Sequence, residues 1–376
     1  MKKKNKVIVA GLICLDITPV FPSNEAVKLD QILVPGKLIQ MGAADVHAGG
    51  CVANTGLAMK LFGAEVILVG RVGQDSFGQS IENILKEYHV QDGLIKGKDT
   101  ATSYSVVIAP PGVDRIFLHH PGANNTFCGD DIKDELLEEA VLFHFGYPPL
   151  MKRMFECQGK ELIHLFQRVK LKGLITSLDM AAIDEKSEAA WQDWKAILTE
   201  LIPYIDIFAP SAEELCYMLE PGRYHEWNQR AAGRDVTEIL CIEEDIAPLG
   251  EQLIKMGAKI VLIKCGAPGF YYRTASEPNI LSISNGILKN PESWADRSGF
   301  EKSYIPDCLL SANGAGDTTI AAFLTAAMNQ YPFEQCLQLA AAAGASCVTE
   351  YDALSGLKSF PELEEKISCG WLKVHS

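Results

Sequence analysis

The sequence predicts an α/β fold in which a central, mostly parallel sheet is flanked by helices and carries a small β-sheet lid. Short apolar runs typical of buried strands alternate with helical segments, and glycine-rich turns follow several of these runs. Two proline-containing segments interrupt the alternation. We assign these segments, residues 17–46 and 100–125, to the lid, and residues 1–16, 47–99 and 126–376 to the α/β core.

Composition narrows the class of protein. The 376 residues are 48% apolar and carry a formal net charge of -14, which argues against a general nucleic-acid partner. The eleven cysteines form no CxxC or Cys/His cluster, so a zinc site is not expected. No stretch reaches the roughly 18 apolar residues that a membrane helix needs, and no signal peptide is recognisable. We therefore expect a reduced, cytoplasmic protein with no membrane partner.

The first predicted strand spans residues 6–15 and is followed directly by Asp16. A carboxylate at the end of a buried strand is costly unless something binds it. A pair of polyol hydroxyls would suit Asp16, and so would a cluster of backbone N–H groups.

Residues 48–56 contain adjacent glycines, Gly49 and Gly50, at the start of a predicted helix that ends near residue 63. Glycines allow the backbone to lie against a ligand. Asn54, one turn later, would project the same way with a donor and an acceptor. The alternative is a glycine-rich helix start in which Asn54 makes only local hydrogen bonds.

The alternation of strand, loop and helix continues with a strand at 65–69 and a helix at 79–88. Lid strands are predicted at 100–108 and 115–119. His119 and His120 lie there without a third metal ligand nearby, so we expect a structural or substrate-facing role. The core then resumes with strands at 140–145, 174–178, 205–209 and 259–264 and helices at 159–170, 189–201 and 248–256. We interpret residues 223–244 as a polar surface insertion and residues 273–306 as a long excursion from the sheet.

The loop at residues 309–319 is the candidate for the chemistry. Gly314 and Gly316 permit a tight turn, and an alanine-rich helix is predicted to begin at or just after Asp317. Unpaired N–H groups at such a helix start, with the positive end of the helix dipole behind them, form an anion hole. Asp317 beside it could take a proton from a hydroxyl during phosphoryl transfer, or could simply cap the helix.

Three separated stretches, residues 48–56, 70–78 and 313–318, together resemble the ribokinase-like (PfkB) family of carbohydrate kinases. With Asp16 and residues 210–214, the resemblance covers nearly the whole chain. It implies transfer of the γ-phosphoryl group of ATP, with Mg²⁺, to a sugar or similar primary alcohol. It also implies a lid through which two copies form a homodimer.

The resemblance further implies roles for individual residues. Asp317 matches the family's catalytic base, and the backbone of Gly314, Ala315 and Gly316 matches its anion hole. The positions that match residues holding substrate hydroxyls are Asp16, Gly49, Gly50 and Asn54. The positions that match nucleotide-binding residues are Ser211, Gly266 and Gly269, and Glu214 matches a residue that acts on magnesium through water. For Glu214, the residues alone favour the simpler role of an acid in the first turn of a helix.

Some positions depart from the family pattern. Ser311 replaces an Asp that often helps to form a monovalent-cation site, which weakens the expectation of potassium activation. Ser211 stands where Asn is usual, and Thr319 where Phe is common.

Two other functions remain open. A nucleoside kinase of the same family would need a clamp for the base among lid residues such as Phe21, Phe117 or Tyr104. A catalytically silent sugar-sensing protein is slightly favoured by Ser211 and Ser311 and opposed by the intact 314–317 loop. Acidic groups such as Asp16 suit a neutral polyol better than a phosphorylated sugar.

Overall fold

The computed structural model describes residues 6–22, 32, 34–111, 115–283 and 287–374. In chain order the strands are β1 (Lys6–Gly11), β2 (Cys14–Thr18), β3 (Asp45–Gly49), β4 (Glu65–Gly73), β5 (Leu94–Gly97), β6 (Tyr104–Ile108), β7 (Ile116–His120), β8 (Ala140–Gly146), β9 (Ile175–Asp179), β10 (Ile207–Phe208), β11 (Ile260–Lys264), β12 (Gly269–Thr274) and β13 (Ser298–Lys302). A larger sheet has the order β13-β12-β11-β10-β9-β8-β1-β4-β5, and a smaller sheet the order β3-β2-β6-β7. The larger sheet is parallel except where β12 pairs with β11 and β13.

The helices lie between the strands along the chain. They are α1 (Gly50–Leu61), α2 (Ser76–Glu87), α3 (Asp134–Glu139), α4 (Lys152–Phe155), α5 (Lys160–Leu171), α6 (Trp194–Leu201), α7 (Ala212–Leu219), α8 (Pro221–Ala231), α9 (Ala247–Met256), α10 (Glu277–Leu281), α11 (Ala315–Met328), α12 (Phe333–Cys347) and α13 (Phe360–Ser368). No helix of the described residues is both long enough and apolar enough to span a bilayer. The predicted fold class, a mostly parallel central sheet with flanking helices and a separate small sheet, is confirmed.

Two apolar cores lie on the two faces of the large sheet. Alternate residues of β1 point into different cores, with Val7 and Val9 in one and Ile8 and Ala10 in the other. This is the period of two that a strand covered on both faces requires. Helices α1, α11 and α12 cover the first face, and residues of α5 to α7 contribute to the core on the second.

Several expected elements differ in the structure. The predicted single strand 6–15 is wrong: β1 ends at Gly11, and the chain enters β2 of the small sheet at Cys14. Asp16 therefore lies within a lid-sheet strand and not at the end of a core strand. The break follows Gly11, whose φ of +127° suits glycine.

The two long segments expected to lie outside the sheet are also partly folded into the structure. Residues 273–306 contribute the end of β12 and all of β13, so the idea of an excursion is wrong for that part. Residues 223–244 include most of α8, whose Trp227 is fully buried. In the segment 17–46, residues 23–31 and 33 lie outside the described residues, and residues 37–41 form no strand. The domain limits themselves stay a prediction.

Candidate active site

Asp317 lies in the first turn of α11 and is almost completely buried, with 2% of its surface exposed. The helix begins at Ala315, two residues before Asp317, and its N-cap residue is Gly314. The alternative role of Asp317 as the helix cap is therefore wrong. Its side chain instead turns toward α1 and the end of β8.

Three donors hold the Asp317 carboxylate. Asn54 Nδ2 and the Tyr147 hydroxyl donate to Oδ2 at 3.0 and 2.7 Å, and the Thr55 hydroxyl donates to Oδ1 at 3.2 Å. Two bonds to Oδ2 occupy its two lone pairs, so Oδ1 is the atom with room for a further donor.

Sequence reasoning found Asn54 but missed Thr55 and Tyr147. Tyr147 directly follows β8 and has a left-handed backbone (φ +67°), which is costly for a residue with a side chain. Burial raises the pKa of Tyr147 well above its ordinary value, so its hydroxyl remains a donor. Thr55 could have been found as the neighbour of Asn54, but no local signal marks Tyr147.

The glycine loop leads into α11 as expected. Gly314 has a φ of +74°, and a Cβ at this position would overlap that of Ala353. The amides of Gly316 and Asp317 belong to the first turn, where a helix offers them no acceptor. The Ala315 amide donates to Ala312 O at 3.3 Å, so it is partly occupied within the loop. The loop thus turns at Gly314 as expected, and its role as an anion hole stays a prediction.

Asp16 lies at the other end of this loop. Asn313 Nδ2 approaches Asp16 Oδ2 at 3.4 Å, and the Cys14 thiol donates to Oδ1 at 3.2 Å. A Cβ on Gly49 would overlap the Asp16 carboxylate, which explains the glycine there. Burial raises the pKa of Asp16, although hydrogen bonds from neighbouring groups act in the opposite direction.

A polar row crosses the small sheet at Asp16. Pairing places His47 beside Asp16 on β3, Ser105 beside it on β6, and His119 beyond Ser105 on β7. Ser105 Oγ and His119 Nδ1 are 3.0 Å apart, and burial lowers the pKa of His119 to about 4, so this ring is neutral at neutral pH. Among the described residues no group of three or more metal-ligating side chains occurs.

A small cleft, partly open to solvent, lies between the small sheet, α1, the glycine loop and residues 351–354. Its described lining contains three carboxylates and no lysine or arginine: Asp16, Thr18, Asp45, His47, Ala48, Asn54, Asn313, Tyr351, Asp352, Ala353 and Leu354. His47 Nε2 is hydrogen-bonded to Asp45 Oδ1. This wall offers acceptors for hydroxyl groups and repels anions.

The expected nucleotide positions lie at the same edge of the large sheet, where its parallel strands end. Ser211 and Glu214 form a capping box at the start of α7, with the Ser211 amide donating to Glu214 Oε2 at 2.7 Å. Gly266 and Gly269 form the turn between β11 and β12. A Lys264–Asp179 ion pair, which sequence reasoning missed, lies between these segments and the glycine loop.

The described residues could bind Mg²⁺ if phosphate oxygens of a substrate supplied some of its ligands. No group of three or more ligating side chains is present among them, but Mg²⁺ commonly needs one or two carboxylates, waters and phosphate oxygens. Asp179 Oδ2 is a buried carboxylate oxygen without a hydrogen-bond partner among the described residues. Asp179 thus offers one oxygen of the kind that this ion prefers.

The residues proposed to clamp a nucleobase do not line this cleft. Tyr104 packs edge-on against Phe77, and Phe117 is 45% exposed with the Arg115 guanidinium over its ring. Ser311, at the position of the usual cation-site Asp, accepts the Asn313 amide at 3.1 Å.

A helix N-terminus at the carboxyl ends of parallel strands is a place where α/β proteins commonly bind phosphate groups. Comparison with known families identifies the family. The chain belongs to the pfkB family of carbohydrate kinases, whose model matches residues 6–359.

Curated relatives are distant but extend along most of the chain. Fructokinase-1 of Oryza sativa subsp. japonica is 23% identical over 328 residues, which are 84% of this chain and 86% of that protein. The ribokinase of Arabidopsis thaliana is 24% identical over 336 residues, 88% of this chain and 75% of the other. The match to fructokinase-1 of Zea mays is shorter, 27% over 161 residues, and spans 42% of this chain and 48% of that protein.

Solved structures show the same fold. Arabidopsis thaliana ribokinase complexed with ribose and ATP superposes with a TM-score of 0.67 at 20% identity, over 96% of this chain and 98% of that one. The fructokinase of Xylella fastidiosa with bound ATP gives 0.68 at 18% identity, over 97% and 99%.

Proposed function

We propose that the protein transfers the γ-phosphoryl group of ATP to a hydroxyl group of a neutral sugar or sugar-like polyol. Family membership makes it a carbohydrate kinase. The main support for a sugar acceptor is that the cleft and Asp317 are adjacent. Asn54 lines the cleft and donates to Asp317, and Asn313 of the glycine loop contacts Asp16 in the cleft wall.

In this reaction Asp317 is the general base. Its Oδ1 atom accepts the proton of the attacking hydroxyl, while Asn54 and Tyr147 hold Oδ2 in place. The backbone at residues 314–316 stabilises charge on the phosphoryl group in transit. Asp16, Gly49, Gly50 and Asn54 hold the other hydroxyls of the acceptor.

The nucleotide lies along Ser211, Gly266 and Gly269 in this proposal. Magnesium, when bound with ATP, neutralises phosphate charge, and Glu214 would hold it through water. Glu214 accepts the Ser211 amide in the capping box of α7, so a water bound to magnesium would have to compete with that hydrogen bond.

The charge of the cleft favours a neutral acceptor. Asp16, Asp45 and Asp352 would repel a sugar phosphate or a sugar acid, whereas hydroxyl groups can donate to them. The nucleoside kinase alternative is weakened because Phe117 and Tyr104 do not line the cleft.

A screen of ADP release tests this assignment. We expect turnover with at least one neutral sugar or polyol, and little with sugar acids, sugar phosphates or nucleosides, with or without potassium. Turnover confined to nucleosides would support the nucleoside kinase instead. Sugar binding without ADP release from any acceptor would support the silent sensor.

Asp16→Asn should raise the KM for the acceptor at least about tenfold, because hydrogen bonds to a charged group contribute about 1.5–3 kcal/mol. The KM for ATP should change little. Since burial raises the pKa of Asp16, its protonation begins at higher pH than for an exposed Asp. The wild-type KM should therefore rise on acidification, and that of the variant should not; equal profiles would contradict the role of Asp16.

We further infer a homodimer formed through the lid and a reducing, cytoplasmic location. One face of the small sheet carries an apolar row of Val46, Ile17, Val106 and Leu118, of which Val46 and Leu118 are 42% and 55% exposed. Such a row favours contact with a second copy. All eleven cysteines are free, as expected where thiols stay reduced.

A further inference from the structure

A buried ion pair lies beside the glycine loop. Lys264 ends β11 and Asp179 ends β9, and Lys264 Nζ is 2.7 Å from Asp179 Oδ1. The Lys264 side chain is 16% exposed and that of Asp179 1%. Oδ1 also accepts the Met180 amide at 2.8 Å, whereas Oδ2 has no hydrogen-bond partner among the described residues.

Lys264 joins the segments that we assign to the nucleotide. Its amide donates to Pro210 O at 2.9 Å, and it forms a bridge with Ser211 at the start of α7. Its Nζ atom lies 3.4 Å from the place that a Cβ on Gly316 would occupy. The ammonium group is thus adjacent to the proposed anion hole.

Charge in this region is unbalanced. Burial acts to lower the pKa of Lys264, but Asp179, Glu214 and Asp317 raise it, and the net direction is upward. The ammonium therefore stays protonated among three acidic side chains, although burial raises the pKa of one of them, Asp179, to about 8. A phosphate group approaching these acids would be repelled unless a cation lay between them.

A second lysine–aspartate pair, at the opposite end of β11, serves as a comparison for the Lys264–Asp179 pair. Lys259 Nζ is 2.6 Å from Asp206 Oδ1, while Asp206 Oδ2 accepts from Lys170 and the Thr176 amide. Both oxygens of Asp206 therefore have hydrogen-bond partners, whereas only Oδ1 of Asp179 does among the described residues. The described contacts of Lys264 use one of its three ammonium N–H donors, so the others can serve a ligand.

We propose that Lys264 binds a phosphate oxygen of the nucleoside triphosphate beside the 314–316 loop, and that Asp179 is the positioning residue that holds its ammonium there. The inference rests on the proposed kinase function. One N–H stays on Asp179 while the others turn to phosphate oxygens. A compact ammonium on a flexible stem suits such a contact.

Calorimetry with a non-transferable ATP analogue and Mg²⁺ tests the proposal. Lys264→Met should weaken binding of the analogue about tenfold or more, while binding of adenosine and of the acceptor stays within about twofold. Lys264→Arg, which keeps the charge, should recover much of the loss. Asp179→Asn should weaken binding of the analogue less than Lys264→Met does. The double variant should bind the analogue as tightly as Lys264→Met alone, because Asp179 acts through the lysine.

Lys259→Met is the matched control, since that lysine is 14% exposed and also paired with a buried Asp. It should lower the Tm and leave analogue binding unchanged. The double variant of Lys264 and Asp179 removes both buried charges, so it guards against misfolding of Lys264→Met. Wild-type analogue affinity in Lys264→Met or in the double variant of Lys264 and Asp179, or equal weakening of analogue and adenosine binding in Lys264→Met, would overturn the proposal.

The proposed function fails by a different observation. If the wild-type protein releases no ADP with any acceptor, the kinase assignment is wrong. If it is active and Lys264→Met keeps the wild-type KM for ATP, only the role of the lysine is wrong.

Discussion

Asp317→Asn is expected to lower kcat at least about hundredfold, the lower end of what a general base contributes, while affinity for the acceptor is kept. The amide cannot take the proton of the attacking hydroxyl. It can still keep the surrounding hydrogen bonds: its oxygen can accept from Asn54 and Tyr147, and its NH₂ can donate to Thr55 Oγ1. Steady-state kinetics and calorimetry with the acceptor separate the two effects.

Asp130→Asn is the control for this variant, because Asp130 is an exposed aspartate whose backbone oxygen, not its carboxylate, accepts a hydrogen bond from Lys133. It should leave kcat and the Tm unchanged. A kcat of Asp317→Asn within about threefold of wild type would refute the role of Asp317 as base.

The sequence predicts the core of the fold well because buried parallel strands are short apolar runs that end at glycines or acids. It places the end of β1 wrongly, since Leu12, Ile13 and Cys14 continue the apolar run across the gap between the two sheets. Gly11, with its positive φ, is the one local sign of that break. Strand β13 has no apolar pattern that could identify it, and all of its residues are exposed or only partly buried.

Some residues of the candidate site can be predicted from the sequence and others cannot. Asn54, Gly314 and Asp317 belong to local motifs, so their spacing identifies them. Tyr147 and the Lys264–Asp179 pair come from different strands of the large sheet and meet only because the carboxyl ends of parallel strands converge at one edge. The polar row of Asp16, Ser105 and His119 likewise depends on strand register, which no single segment encodes.

The backbone conformation of Gly314 leads to a second prediction of large effect. We expect Gly314→Ala to lower kcat about hundredfold, because a displaced loop would misplace anion-hole donors that contribute about 10²–10³ each. Two effects would displace the loop in this variant. The left-handed backbone at residue 314 costs an L-residue about 1–2 kcal/mol, and the new Cβ would overlap that of Ala353.

Two further variants separate these causes. Adding Ala353→Gly removes the overlap and should restore part of the lost kcat, leaving the backbone strain. Gly173→Ala has nearly the same φ (+78°) with no atom near its Cβ position, so it should reduce the Tm and leave kcat unchanged. Measuring kcat, acceptor affinity and Tm for all three distinguishes a misplaced anion hole from general destabilisation. If Gly314→Ala loses no more kcat than Gly173→Ala, the 314–316 backbone is not the group that stabilises the phosphoryl group.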